Sequence, residues 1–117
     1  MRYNGAVTEP RGLTVDEVRG DAPDTTVLAL AGELDLATIT LLKDAVTPRL
    51  KPGGRMVLDL AALMFCDSTG LGAFVALHRE ARAHGAEFVL VSPRKRIANL
   101  FAMSGIDQVI PVQSPEM

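Results

Sequence analysis

The chain has 117 residues, which is the usual size of one domain with a single hydrophobic core. Hydrophobic residues make up 48% of it and aromatic residues only 4%, so we expect a core of Leu, Val, Ile and Ala. The formal net charge of −2 lacks the positive excess that phosphate backbones select. We therefore expect no direct nucleic-acid partner.

Cysteine content and hydropathy indicate the cellular compartment of the protein. The single cysteine, Cys66, cannot form an intrachain disulfide, which is consistent with a reducing compartment. The first residues contain no continuous apolar stretch of the signal-peptide kind, and no later run has the length of a membrane-spanning helix. The sequence predicts a cytoplasmic protein with no membrane partner.

The first half of the chain predicts a hairpin, a helix and a strand. We expect residues 1–12 to form a loose leader, residues 13–113 one domain and residues 114–117 a short tail. The β-type runs from Leu13 to Val18 and from Thr25 to Ala31 are separated by the turn residues Asp21-Ala22-Pro23-Asp24, which favours a hairpin. A helix from Ala37 to about Thr47 and a buried strand from Arg55 to Leu60 follow.

The second half predicts two more helices alternating with strands. Gly85 is the expected C-terminal stop of the helix that begins at Asp67. Ser92-Pro93 is typical of an N-cap followed by proline at the first position of the next helix. The alternating order predicts an α/β domain with a mixed four- or five-stranded sheet and helices packed on it. The predicted elements are a helix from Asp67 to His84, a strand from Glu87 to Val91, a helix through Ile97, Leu100 and Phe101 to Gly105, and a strand from Gln108 to Val112.

The most informative segment runs from Phe65 to Gly72 and opens the second helix. Asp67 has the sequence position of an N-cap whose carboxylate accepts the amide of Thr69 or Gly70. Ser68 would then occupy the first helical position, with its hydroxyl facing solvent and accessible to a kinase. The alternative is that Ser68 is itself a second capping residue.

Small residues surround this serine. Two glycines in the first turn, Gly70 and Gly72, are costly in a helix, so they indicate either a close backbone approach or helix-sheet packing. Ser68, Gly72 and Ala76 fall in one i, i+4, i+8 row, with Thr69 and Ala73 beside it. The pattern predicts a small, flat, uncharged surface suited to docking against another protein.

The residues near Ser68 do not form a hydrolytic or metal site. Cys66 occupies the place where a G-x-S-x-G nucleophile elbow needs glycine, and His78 lies roughly 15 Å further along the helix axis. His78 and His84 do not share a helix face as metal ligands would. We expect no catalytic residue, no metal and no cofactor, with His78 at the rim of the core and Cys66 a small buried hydrophobe.

Two further sites stay open between structural and functional interpretations. Asp35 or Thr38 could start the first helix, or their loop could lie beside Ser68. Arg94-Lys95-Arg96 places three positive charges in a first helical turn, against the macrodipole preference. That cluster is either a solvated surface or a contact to an anion or a partner.

These motifs resemble a known family. From Leu13 to Val112 the chain is similar to STAS domains, and most closely to the bacterial anti-sigma factor antagonists. The resemblance rests on Gly32-Glu33-Leu34-Asp35, on Leu58-Asp59-Leu60 followed by Asp67-Ser68-Thr69-Gly70-Leu71-Gly72, and on the late segment from Ile97 to Ile106 with Met103-Ser104-Gly105. It implies a single STAS-like domain.

The resemblance also implies a phosphorylation switch. It implies that Ser68 is phosphorylated by an anti-sigma factor that is a serine kinase, that only the unphosphorylated form binds this kinase and frees a sigma factor, and that a phosphoserine phosphatase reverses the modification. Thr69 keeps a hydroxyl where the family commonly has a second serine. The expected partner-binding residues are Asp35, Asp67, Ser68, Thr69, Gly70, Gly72, Ala73 and Ala76.

The family leaves one alternative function. STAS modules also occur as subunits or scaffolds of lipid-transport and signalling complexes, and a soluble subunit of that kind would share the same fold. An adjacent gene for a histidine-kinase-like ATPase would favour the sigma pathway, whereas a transporter operon would favour lipid transport.

Overall fold

The computed structural model describes residues 12–18 and 22–114. The expected leader up to residue 11, the turn residue Asp21 and the tail beyond residue 114 lie outside the described residues. The domain limits expected there stay predictions.

Within residues 12–18 and 22–114, five strands form one mixed sheet in the order β1-β2-β3-β4-β5. β1 is antiparallel to β2, and each later neighbour pair is parallel. Both the predicted hairpin and the predicted mixed α/β sheet are confirmed. The strands are β1 (Leu13–Val18), β2 (Thr25–Leu34), β3 (Arg55–Cys66), β4 (Glu87–Val91) and β5 (Val112–Gln113).

Three helices in the described part of the chain pack on this sheet. They are α1 (Ile39–Val46), α2 (Ser68–Ala83) and α3 (Lys95–Ser104), with 3₁₀ turns at Thr47–Arg49 and Ile106–Gln108. The rings of Phe74 on α2 and Phe101 on α3 meet edge to face, 6.0 Å between centroids. The apolar core beneath the helices includes Leu28, Leu30, Leu42, Val46, Leu58, Leu60, Leu77, Leu90 and Ile97. None of the helices in the described ranges is long and apolar enough to cross a membrane.

β3 is longer than the sequence pattern predicts. It continues past the expected end at Leu60 to Cys66, although its pairing with β4 stops at Asp59. Its register with β2 shifts twice, because Leu60 and Ala61 oppose a single residue and Met64 is an extra residue before Phe65. Such bulges break the alternation of side chains that marks a strand in a sequence. β3 therefore projects beyond β4 and carries the start of α2 with it.

The elements after β4 differ from expectation in two places. Ser92-Pro93 does not cap α3, because the helix begins at Lys95 and its N-cap is Arg94, which makes no side-chain cap hydrogen bond. Ser92 instead has a φ of 57° and its N–H donates to the Gln113 carbonyl at 2.8 Å. The final strand is only Val112–Gln113, since the expected start at Gln108 belongs to a 3₁₀ turn.

Candidate phosphorylation and docking site

The loops that follow β2 and β3 lie side by side. Leu34 and Cys66 are paired in the parallel register, and the N–H of Asp67 donates to the Leu34 carbonyl at 3.3 Å. Asp35 and Asp67 directly follow these paired residues. The interpretation that the Asp35 loop lies beside Ser68 is therefore confirmed.

Asp67 is the N-cap of α2. Its backbone is extended, and its carboxylate oxygen Oδ1 accepts the N–H of Gly70 at 3.0 Å. An aspartate in this position satisfies one of the free donors of the first helical turn. The predicted cap is confirmed, and Ser68 is the first residue of the helix rather than a second cap.

The Ser68 hydroxyl is accessible from solvent. Ser68 is exposed, and its hydroxyl makes no hydrogen bond to other residues of the described ranges. Thr69, the neighbouring hydroxyl, is half-buried. Of the two hydroxyls, that of Ser68 is the more accessible to an enzyme.

The two glycines of the first turns have different roles. A Cβ on Gly70 would lie 2.8 Å from the Cys66 Sγ and 2.9 Å from the Leu34 carbonyl oxygen, so the helix packs directly on the sheet there. A Cβ on Gly72 would meet nothing within 4 Å. Helix-sheet packing explains Gly70, whereas Gly72 leaves an open surface.

Only part of the residue set predicted for partner binding is exposed. Ser68, Gly72 and Ala76 are exposed along one side of α2 and form the row of small, uncharged residues that the spacing predicts. Gly70 and Ala73 are buried, because they face the sheet and the core. These two residues are therefore corrected from partner-binding to packing positions.

Asp35 shapes the loop beside Ser68. Its Oδ1 accepts the N–H of Ala37 at 3.0 Å, and its carbonyl accepts the N–H of Ile39 at 3.0 Å. The Thr38 hydroxyl accepts the N–H of Asp35 and donates to the Glu33 carbonyl. These bonds form the turn that starts α1, so Asp35 has a structural role as well as its place beside Ser68.

Cys66 and His78 are packing residues. Burial, with a smaller contribution from the Asp67 charge, raises the pKa of the Cys66 thiol to about 12, so the nucleophilic thiolate is scarce. His78 is buried edge-on against Phe88, and burial together with the charge of Arg82 lowers its pKa. Both sequence interpretations are confirmed. Within the part of the chain that the structure describes, no group of three His, Cys, Asp or Glu side chains could hold a metal ion.

The basic cluster is partly structural. The Arg94 Nη1 donates to the Ala61 carbonyl at 3.2 Å, where β3 runs beyond β4. Lys95 and Arg96 are exposed. Arg94 thus binds a backbone carbonyl in the part of β3 that does not pair with β4, and the other two charges lie in solvent.

Three exposed apolar side chains near Ser68 were missed by the sequence interpretation. Leu36 follows Asp35, and Met64 and Phe65 lie at the end of β3. The sequence signals the exposure of only one of the two β3 residues, because Leu63, Met64 and Phe65 are consecutive and cannot all face the core of a pleated strand.

Known proteins resemble this chain in sequence and in fold. Residues 17–116 match the family model described as the STAS domain. The Anti-sigma-B factor antagonist of Listeria monocytogenes is 31% identical over 101 residues, covering 86% of this chain and 89% of that protein. An anti-sigma factor antagonist from Mycobacterium paratuberculosis superposes with a TM-score of 0.72 at 25% identity, covering 94% of this chain and 92% of the other. The phosphorylated form of the Bacillus cell fate determinant SpoIIAA gives a TM-score of 0.64 at 22% identity, with 88% and 93% covered. This chain belongs to the STAS domain family.

Proposed function

We propose that this protein is an anti-sigma factor antagonist of the cytoplasm that is switched by phosphorylation of Ser68. Unphosphorylated, it binds an anti-sigma factor that is a serine kinase and thereby frees a sigma factor. The kinase modifies Ser68 and ends the interaction, and a phosphoserine phosphatase restores it. The Listeria relative, named as an antagonist of this kind, supports the antagonist role.

The observation that carries the switch is the setting of the Ser68 hydroxyl. It is exposed at the first residue of α2, while Asp67 alone supplies the cap to Gly70. A kinase can therefore phosphorylate this hydroxyl without breaking a hydrogen bond that stabilises the fold. The exposed Gly72 and Ala76 beside it leave room for a partner surface to approach.

A phosphate on Ser68 is compatible with the free domain. It adds about −1.5 to −2 charges, and the exposed amides and dipole of a helix N-terminus favour such a charge by about 0.3 to 1 kcal/mol. Repulsion from Asp67 has the opposite sign and, in solvent, is screened to a similar size. The two effects offset each other, so the fold stays intact.

The complex responds differently because docking removes water from the site. When a partner covers the uncharged row of Ser68, Gly72 and Ala76, the phosphate on Ser68 loses its hydration, and the row supplies no positive charge to compensate. An uncompensated buried charge costs several kcal/mol, and each 1.4 kcal/mol is about tenfold in affinity. Phosphorylation therefore weakens binding by about a hundredfold or more.

Phosphorylation by the cognate kinase tests the modified residue. With ATP present, mass spectrometry is expected to find one phosphate on Ser68, and none after Ser68→Ala. Thr69→Ala serves as the matched control, because it removes the adjacent hydroxyl and is expected to leave the modification in place. Phosphate found only on Thr69, Ser92 or Ser104 would contradict the assignment.

Calorimetric titration of the kinase tests the mechanism of the switch. Ser68→Ala is expected to bind like the unmodified protein, Ser68→Asp to bind more weakly, and the phosphorylated form weakest of all. Thermal melting is expected to be nearly unchanged by the phosphate. Equal binding of both forms, or a domain unfolded by phosphorylation, would rule out this mechanism.

A further inference from the structure

Three large apolar side chains lie exposed around Ser68. Leu36 is 74% exposed, Met64 58% and Phe65 46%. Since Glu33 pairs with Phe65 and Leu34 with Cys66, the loop that holds Leu36 adjoins the end of β3 that holds the other two. We name Leu36, Met64 and Phe65 the apolar rim.

The second bulge of β3 turns two consecutive side chains outward. Leu63 pairs with Gly32 and Phe65 with Glu33, so Met64 has no residue opposite it on β2. In a regular strand one of two consecutive side chains would face the core, but here Leu63 and Cys66 fill the core on either side. Bulges often redirect side chains beside functional sites. The backbone itself therefore exposes Met64 and Phe65.

We propose that the apolar rim is the part of the docking surface that contributes most to the affinity for the anti-sigma factor, an inference that rests on the function proposed above. A specific interface buries about 800 Å² on each partner, which corresponds to a footprint of roughly 16 Å radius. A footprint of that size centred on Ser68 reaches Phe65, three residues before it. Large apolar side chains are enriched at the centre of such interfaces, and a few of them dominate binding.

Charge argues against a second copy of this chain as the occupant. Asp35 directly precedes Leu36 and Asp67 follows Phe65 by two residues, and neither carboxylate has an ion-pair partner in residues 12–18 and 22–114. A two-fold symmetric dimer through this surface would bring the carboxylates of both copies together in an interface without water. The occupant is therefore a different protein, with apolar side chains for the rim and N–H donors for the two carboxylates.

Titration of the cognate anti-sigma factor against rim variants tests this assignment. Leu36→Ala and Phe65→Ala are each expected to weaken binding by about tenfold or more. Leu36 lies in an exposed loop, so its truncation should leave the fold intact, and a thermal melt checks Phe65→Ala. The control is Val109→Ala, because Val109 is 55% exposed and lies beside Arg55 and Glu87, the first residues of β3 and β4, at the opposite end of these strands from Ser68. This variant is expected to bind within about twofold of the unaltered protein.

The possible results distinguish a failure of the rim assignment from a failure of the proposed antagonist function. If both rim variants bind as Val109→Ala does while Ser68→Asp still weakens binding, the rim assignment is overturned and the antagonist function stands. If the unaltered protein does not bind the anti-sigma factor, the antagonist function fails and the rim assignment fails with it. If analytical ultracentrifugation finds a dimer that Leu36→Ala dissociates, the occupant is a second copy, which also overturns the assignment.

Discussion

Gly70 and Gly72 lie two residues apart in α2, yet the same substitution should have opposite effects at the two positions. Gly70→Ala would place a Cβ within 3.0 Å of both Leu34 and Cys66, and overpacking of this kind costs about 1 to 3 kcal/mol. Gly72→Ala adds a methyl group in open space and is expected to stabilise the helix by about 0.5 to 1 kcal/mol. Urea unfolding measures the change in the free energy of unfolding for each variant, which is expected to fall for Gly70→Ala and to rise for Gly72→Ala. Equal effects at both positions would contradict the packing assigned to Gly70.

His78 gives the protein a pH-dependent component of stability. Burial, together with the charge of Arg82, lowers its pKa below the ordinary value of 6.5. The unfolded chain therefore takes up a proton at a higher pH than the folded protein does. This component is complete above about pH 6.5 and is lost as the pH falls towards the folded pKa.

Urea midpoints at pH 7.5 and pH 5.5 measure this component. His78→Gln is expected to lose less stability than the unaltered protein between these two values, because it has no imidazole to protonate. His84→Gln, which replaces an exposed histidine, is the control. An identical loss in the His78→Gln variant would show that other groups cause the pH dependence.

At the scale of elements, α2 depends on its cap. Asp67→Ala removes the acceptor of the Gly70 N–H and is expected to cost about 1 kcal/mol. Asp67→Asn keeps an acceptor oxygen and is expected to cost much less, so it is the matched control. Denaturant unfolding measures both variants. If Asn and Ala are equally destabilising, the carboxylate charge rather than the cap stabilises the helix.

The sequence predicts some elements better than others for physical reasons. The start and end of α2 follow from Asp67 and Gly85, because caps and left-handed glycines are local signals. The extension of β3 is not visible locally, since its bulges are defined by the register with β2. Ser92-Pro93 resembles a cap, but the bond from Ser92 to Gln113 near the end of the chain overrides that pattern.

The candidate site was predicted in part. Ser68, Asp67 and the neighbouring Asp35 loop follow from sequence motifs. The burial of Gly70 and Ala73 depends on which side of α2 meets the sheet, and the exposure of Met64 and Phe65 depends on a bulge. These features require the tertiary structure.

At the scale of the whole molecule, a single core predicts a single unfolding transition. One contiguous cluster contains residues from β1 to β4 and from all three helices. Leu13 lies on β1, and Leu42, Leu77 and Phe101 lie on α1, α2 and α3. Domains of this size with one core usually unfold in a two-state manner. Far-UV circular dichroism and methyl NMR signals are expected to give the same urea midpoint. Separate midpoints would mean that part of the fold is independent of the core.

The projection of β3 beyond β4 has a consequence for amide hydrogen exchange. Between Arg55 and Asp59 the strand has a neighbour on both sides, whereas from Ala62 to Cys66 its one partner among the described residues is β2. One strand should therefore contain a slowly exchanging half and a faster one, because local opening is easier where fewer contacts hold the backbone. A partner covering the apolar rim would slow exchange in the second half and leave the first half unchanged. Exchange mapped along β3 in the free protein and in the complex would thus locate the partner without any substitution.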